Sequence, residues 1–175
     1  MITAIEAAVI IIMDLEGGDK VITDSGGLTK YGVSQKAYPD LDIRNLTFAD
    51  AAKIFKDDYW DLVHGDELPS PLNVYVVDAA YNMGPRTAMK ILQRALGNVS
   101  VDGRWGPRTQ SSVTRYGGDE KSLRWICNVF NQQRCRYYIG VRNFDNDGDG
   151  WYNRVFELVD LVWESECIER FGRTP

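Results

Sequence analysis

The stretch LEGGDKVITDSGGLTKYG, residues 15–32, decides the fold. It follows an unbroken apolar run, Ala7 to Met13, and carries an acid (Glu16), two glycine pairs and a second acid (Asp24). Glycine costs backbone entropy unless the chain needs a conformation or an approach that a side chain would block. The stretch therefore reads either as a site or as a demanding turn. The apolar run predicts a buried first helix, opened by a Thr3–Glu6 capping box and stopped at Gly17-Gly18. After it the period changes. KVIT (20–23) and LTKYGV (28–33) are rich in β-branched and aromatic residues, and DSGG (24–27) between them is turn chemistry, so residues 20–33 read as a short hairpin.

Outward from that stretch the chain is mostly helical. LTFADAAKIFKDDYWDLV (46–63) predicts a helix capped by Thr47, with Phe48, Ala51, Ala52, Phe55, Tyr59 and Leu62 on one face. Ser70-Pro71 opens a third helix that breaks at Gly84-Pro85, and a fourth ends at Gly97. A loop, NVSVDGRWG (98–106), leads through Pro107 into a short helix. Two long helices, roughly 119–139 and 152–171, are expected around a turn at RNFDNDGDGW (142–151). The sum is an α+β domain, mostly helical, with one small β-hairpin near the N-terminus.

Composition excludes several function classes. With 175 residues, 44% hydrophobic and 26% charged, the chain fits an ordinary globular domain. A net charge of −5 argues against nucleic acid as a partner. The apolar run is far shorter than the roughly 20 residues that span a bilayer, and it lacks a basic leader, so neither membrane insertion nor a signal peptide is expected. Three cysteines (Cys127, Cys135, Cys167) form no CxxC pair and predict reduced thiols. The single histidine, His64, disfavours a zinc amidase or peptidase and reads as structural or surface.

Glu16, at the C-terminal end of an apolar helix, meets desolvation and the negative end of the helix dipole, and both disfavour its charged form. A carboxylic acid that keeps its proton near neutral pH is what protonates a glycosidic leaving oxygen. Asp24, in a polar glycine-rich turn, would stay ionised, and Thr29 would hold a water by its hydroxyl. The same residues also fit a surface acid at a helix end and an ordinary turn former. DNDGDG (145–150) matches the first half of a calcium loop through Asp145, Asp147 and Asp149, but position twelve is Phe156, not glutamate. A solvated turn is the alternative reading, and no cofactor is required by the rest of the chain.

The blocks LEGG…DSGGLTKYGVS, YWD (59–61), VVDAAYNMGPRTAMKILQRALG (76–97), VDGRWGPRT (101–109) and GWYNRV (150–155) together resemble glycoside hydrolase family 108, the phage and prophage muramidases with a lysozyme-like core. Ser25 stands where that family has proline, and the segment between Glu16 and Asp24 is shorter. The resemblance implies Glu16 as general acid, Asp24 as second acid with Thr29 beside it, and Tyr31 and Asn82 lining the cleft. ILQRALGNVSVDGRWGPRT (91–109) also resembles peptidoglycan-binding modules, in which Trp105 would stack on a sugar or else pack in the core. It further implies a catalytic region over 1–95 and a helical peptidoglycan-binding-like region over 96–175, packed as one globule. The implied activity is that of a monomeric endolysin cutting the β-1,4 bond from N-acetylmuramic acid to N-acetylglucosamine. It would accumulate in the host cytoplasm and reach the wall through a holin-type pore. A lytic transglycosylase and a non-catalytic wall binder are the competing expectations. Arg86, Lys90, Arg94, Arg104 and Arg108 would offset the net acidity where the wall is met.

Overall fold

The computed structural model describes residues 4–15, 19–24, 27–141 and 144–171, with side chains apart from those of 4–7, 14–15, 24, 144–147 and 163–171. Helix α1 (Ala4–Leu15) leads into a three-stranded antiparallel sheet of β1 (Ile22–Asp24), β2 (Gly27–Lys30) and β3 (Val33–Ser34), in the order β1-β2-β3. The expected hairpin is thus present, and Val33-Ser34 extends it by a short third strand. The register pairs Ile22 with Thr29 and Asp24 with Gly27, which puts positions 24 and 29 on one face of the sheet. Five further helices follow: α2 (Phe48–Phe55), α3 (Leu72–Met83), α4 (Pro85–Leu96), α5 (Pro107–Thr114) and α6 (Glu120–Ile139). The last helix, α7, spans Phe144–Phe171.

The core is built around α3. Leu72, Tyr75, Val76, Val77, Ala79 and Ala80 are fully buried, so this helix is covered on all sides by α1, α4, α6 and the 55–67 segment. Against it α1 lays Ala8, Val9, Ile12 and Met13, while Ile10 faces out. Helix α4 has the sharper amphipathic division, with Ala88, Met89, Ile91, Leu92, Ala95 and Leu96 buried. It begins with Pro85 and stops at Gly97 in the left-handed conformation, as its sequence predicts.

Two expectations are corrected. Helix α2 is capped by Thr47 as read, with a reciprocal Thr47–Asp50 capping box, but its α-helical part ends at Phe55. A π-helical turn over Lys56–Trp60 and a 3-10 turn over Asp61–Val63 follow. These turns change the number of residues per turn, so the uniform 3.6-residue stripe fails there. Trp60 and Val63 go inside, Leu62 is 59% exposed, and Phe48 at the other end is exposed as well. The second correction concerns residues 145–150. They are helical, in the first turns of α7, rather than a turn. The wrapping loop that a D-x-D-x-D-G calcium site needs is therefore not formed at Asp145, Asp147 and Asp149. Aspartate and asparagine suit the first turn of a helix as well as a turn, because they complement its orphan N–H groups and its dipole.

Gly65 packs directly under the Trp60 indole: a Cβ built on it would stand 2.4 Å from two ring carbons. The ring has no free path, since it is buried and its Nε1 donates to Asp66 Oδ1 at 3.0 Å. Gly65→Ala is therefore expected to destabilise the fold by about 1–3 kcal/mol, as overpacking of a tight core does. Urea unfolding measures it, and an unchanged midpoint would show that the ring yields freely. Among the described residues no helix is long and apolar enough to cross a membrane.

Candidate active site

The sheet is fastened on both sides. Lys30 Nζ donates to Leu46 O at 2.8 Å and to Arg44 O at 3.3 Å, which ties β2 to the loop before α2. Gln35 Nε2 gathers the carbonyls of Tyr38, Pro39 and Leu41, holding that loop closed. From the opposite side Tyr81, at the end of α3, donates its hydroxyl to Gly32 O at 2.9 Å. The β2–β3 turn so anchored contains Tyr31 in the left-handed region (φ 51°), its ring edge-on to Phe48 at 6.0 Å.

Under the turn lies an aromatic floor. Phe55, Tyr59 and Tyr81 form a triangle with ring centroids 5.2–6.1 Å apart. A small cavity of about 20 Å³ there is lined by Met13 of α1, by Tyr31, Gly32 and Val33 of the turn, and by Tyr59 and Tyr81. The last turn of α1 thus faces the sheet across aromatic rings. Tyr38 bonds Asp58 at the rim, and burial together with that carboxylate pushes its phenol well above the usual range. On the middle strand, Thr29 Oγ1 is buried and has no hydrogen-bond partner among the described residues.

Of the residues singled out in the sequence, Thr29 lies on the middle strand and Tyr31 in the turn that follows it, with position 24 on the face of Thr29 two register pairs along. Glu16 lies outside the described residues, one position beyond the described end of α1. Asn82 is on the surface end of α3 and accepts from the Tyr138 hydroxyl at 2.9 Å; its neighbour Tyr81 is the one that reaches the turn. Trp105 is half-buried: His64 stacks on it with centroids 5.0 Å apart, and its Nε1 donates to Glu67 Oε2 at 3.3 Å. His64 is thus structural, its Nδ1 also paired with Glu67 at 2.8 Å.

A further group was not legible in the sequence. Asp78, fully buried on α3, is clasped by Arg134 of α6 at 2.6 Å and by Arg154 of α7 at 2.7 Å. Arg134 Nε also donates to the Tyr138 hydroxyl at 2.8 Å, and Trp151 stacks on the Tyr138 ring at 5.2 Å. Burial raises the Tyr138 phenol, against the opposing pull of Arg134. This cluster locks the helix that carries Tyr81 to both C-terminal helices. The one available signal was Asp78 itself, a lone charge in the apolar run LNVYVVDAAYNM. Cys127 and Cys135 are free thiols, and burial pushes the Cys135 thiol up.

A mostly helical α+β fold with a small antiparallel sheet facing the end of an apolar helix is the lysozyme-like arrangement. A solved structure with the same fold, titled "Structure of Brucella abortus SagA", superimposes with a TM-score of 0.74 at 27% identity, covering 91% of this chain and 94% of that one. Residues 9–84 match the family described as glycosyl hydrolase 108, and residues 87–156 match one described as a predicted peptidoglycan domain. No curated protein matches the chain. The N-terminal region is thus similar to family 108 glycoside hydrolases and the region after it to a peptidoglycan domain, and together these support a peptidoglycan hydrolase.

Proposed function

We propose that this chain is an N-acetylmuramidase that cuts the β-1,4 bond from N-acetylmuramic acid to N-acetylglucosamine. Glu16 protonates the leaving oxygen. Asp24, helped by Thr29, positions the attacking water or steadies the oxocarbenium-like transition state. The observation that carries this reading is the buried hydroxyl of Thr29, without a hydrogen-bond partner among the described residues, on the face shared with position 24. Leaving such a group unpaired costs about 1–3 kcal/mol, a cost that a water or substrate hydroxyl held there during catalysis would offset. The acid role of Glu16 is supported by its place in the sequence. Glu16 directly follows the apolar run of α1, whose Ala8, Val9, Ile12 and Met13 are buried. In the biological setting most consistent with the resemblance, the enzyme is a phage endolysin that acts as a monomer after a holin-type pore releases it to the wall.

Digestion of purified peptidoglycan in ¹⁸O-labelled water tests the chemistry. A muramidase leaves reducing muramic acid ends that carry one label from water. Products lighter by one water, with unlabelled anhydro ends, would instead make the chain a lytic transglycosylase.

A further inference from the structure

The loop between α4 and α5 is built to a fixed shape. Gln93, buried on α4, donates from Nε2 to Asp102 Oδ1 at 2.8 Å and to Arg104 O at 2.9 Å, while its Oε1 accepts from Gly103 N at 2.8 Å. Asp102 Oδ1 takes a second bond, from Arg104 N at 2.9 Å. Gly103 holds a φ of +75°, and a Cβ on it would meet the Arg86 backbone carbonyl at 3.0 Å. Every hydrogen-bonding group of the Gln93 side chain amide thus serves to present Arg104 and Trp105. Gln110 completes the support by donating to Glu67 Oε2 at 2.5 Å, next to the Trp105 bond.

Three open grooves run round this loop. One of about 530 Å³ contains Arg104, Trp105 and Arg108; one of about 350 Å³ adds Arg86 and shares Arg104 and Trp105; one of about 330 Å³ shares Arg108 and adds Arg115. Arg104 and Trp105 therefore form a ridge with a groove on each side, a shape for an extended ligand. Four arginines and a single carboxylate, Asp102, line the whole run, in a chain whose net charge is −5. Asp102 Oδ1 is engaged by Gln93 and by the loop backbone, and the four arginines outnumber this one carboxylate. None of the four arginines is ion-paired among the described residues.

We infer that this groove is a second substrate-binding site, and that it takes the carboxylate-bearing stem peptide of peptidoglycan rather than the glycan strand. The inference rests on the reading of the chain as a peptidoglycan hydrolase. The glycan backbone is uncharged apart from modifications, and the carboxylates of peptidoglycan sit on the peptide. Arginine forks match carboxylates bidentately, and a row of them spaced along a groove fits a peptide with several such groups. Trp105 supplies a flat apolar surface at the ridge.

The test is co-sedimentation of the full chain with three insoluble walls: intact sacculi, sacculi stripped of secondary anionic polymers by acid, and stripped sacculi whose peptide carboxylates are converted to neutral amides with a carbodiimide and excess methylamine. The inference expects equal binding to the first two and binding at least about tenfold weaker to the third, since charge-assisted hydrogen bonds to a carboxylate are lost. Arg104→Glu/Arg108→Glu is expected to bind all three walls as weakly as wild type binds the amidated wall. Its urea-unfolding midpoint should match wild type, which shows that the variant is folded. Equal wild-type binding to intact and amidated walls would overturn the inference, as would undiminished binding by the double variant. Loss of binding on acid stripping would assign the groove to a wall polymer and overturn it too. Anhydro ends in the product assay would overturn the muramidase reading while leaving this binding comparison intact.

Discussion

Asp78→Ala is expected to destabilise the protein by about 3–5 kcal/mol, the usual cost of breaking a buried ion pair by removing one partner. The size of the effect comes from what is left behind. Arg134 is fully buried and Arg154 nearly so, and both direct their guanidinium groups at the Asp78 carboxylate. Without it two positive charges face one another in a site closed to water. The stacked Tyr138 and Trp151 rings close that site further. Urea unfolding should show a large fall in midpoint with little change in slope. A loss below about 1 kcal/mol would mean that water reaches the two guanidiniums and that the cluster is a minor tie. Because the same helix places Tyr81 against Gly32, activity should disappear at the temperature where the variant melts rather than through a change in the chemistry.

Glu16→Gln is expected to reduce kcat by about 10²–10⁴-fold, the contribution a positioned general acid makes. Glutamine keeps the size and much of the hydrogen bonding of the side chain but has no proton to give. Its unfolding midpoint should match wild type within about 0.5 kcal/mol, and its binding to sacculi should be unchanged. Asp24→Asn should also lower kcat, since an amide neither steadies positive charge nor activates water. A variant at Glu16 that retained more than about a tenth of the activity would remove the acid from this position.

Much of the architecture was legible because local chemistry and tertiary packing agree. Thr47 with Asp50, Pro85 with Gly97, and the pairing of Asp24 with Gly27 each act locally, so their outcome is written nearby. Disagreement begins where packing overrides the local pattern. The π-helical turn at 56–60 seats Trp60 over Gly65 and turns Leu62 outward, which a constant period does not anticipate. DNDGDG is helical despite two glycines. Its helix is held from a distance by Trp151 on Tyr138 and Arg154 on Asp78, contacts whose partners lie 13 and 76 positions away. The strand and turn that carry Thr29 and Tyr31 were legible from their own residues. The floor of Phe55, Tyr59 and Tyr81 was not, because its rings come from two helices with no shared motif. The groove at Arg104 was half legible. The basic residues stand out in sequence, whereas the Gln93 amide that shapes the loop looks like any polar residue in an amphipathic helix.

The central claim is that Glu16 is the acid of a muramidase. Its most direct test is mass spectrometry of fragments released from one peptidoglycan preparation by wild type and by Glu16→Gln, at equal amounts of wall-bound protein. The account predicts fragments with reducing muramic acid ends from wild type and almost none from the variant. Equal release of such fragments by both proteins would contradict it.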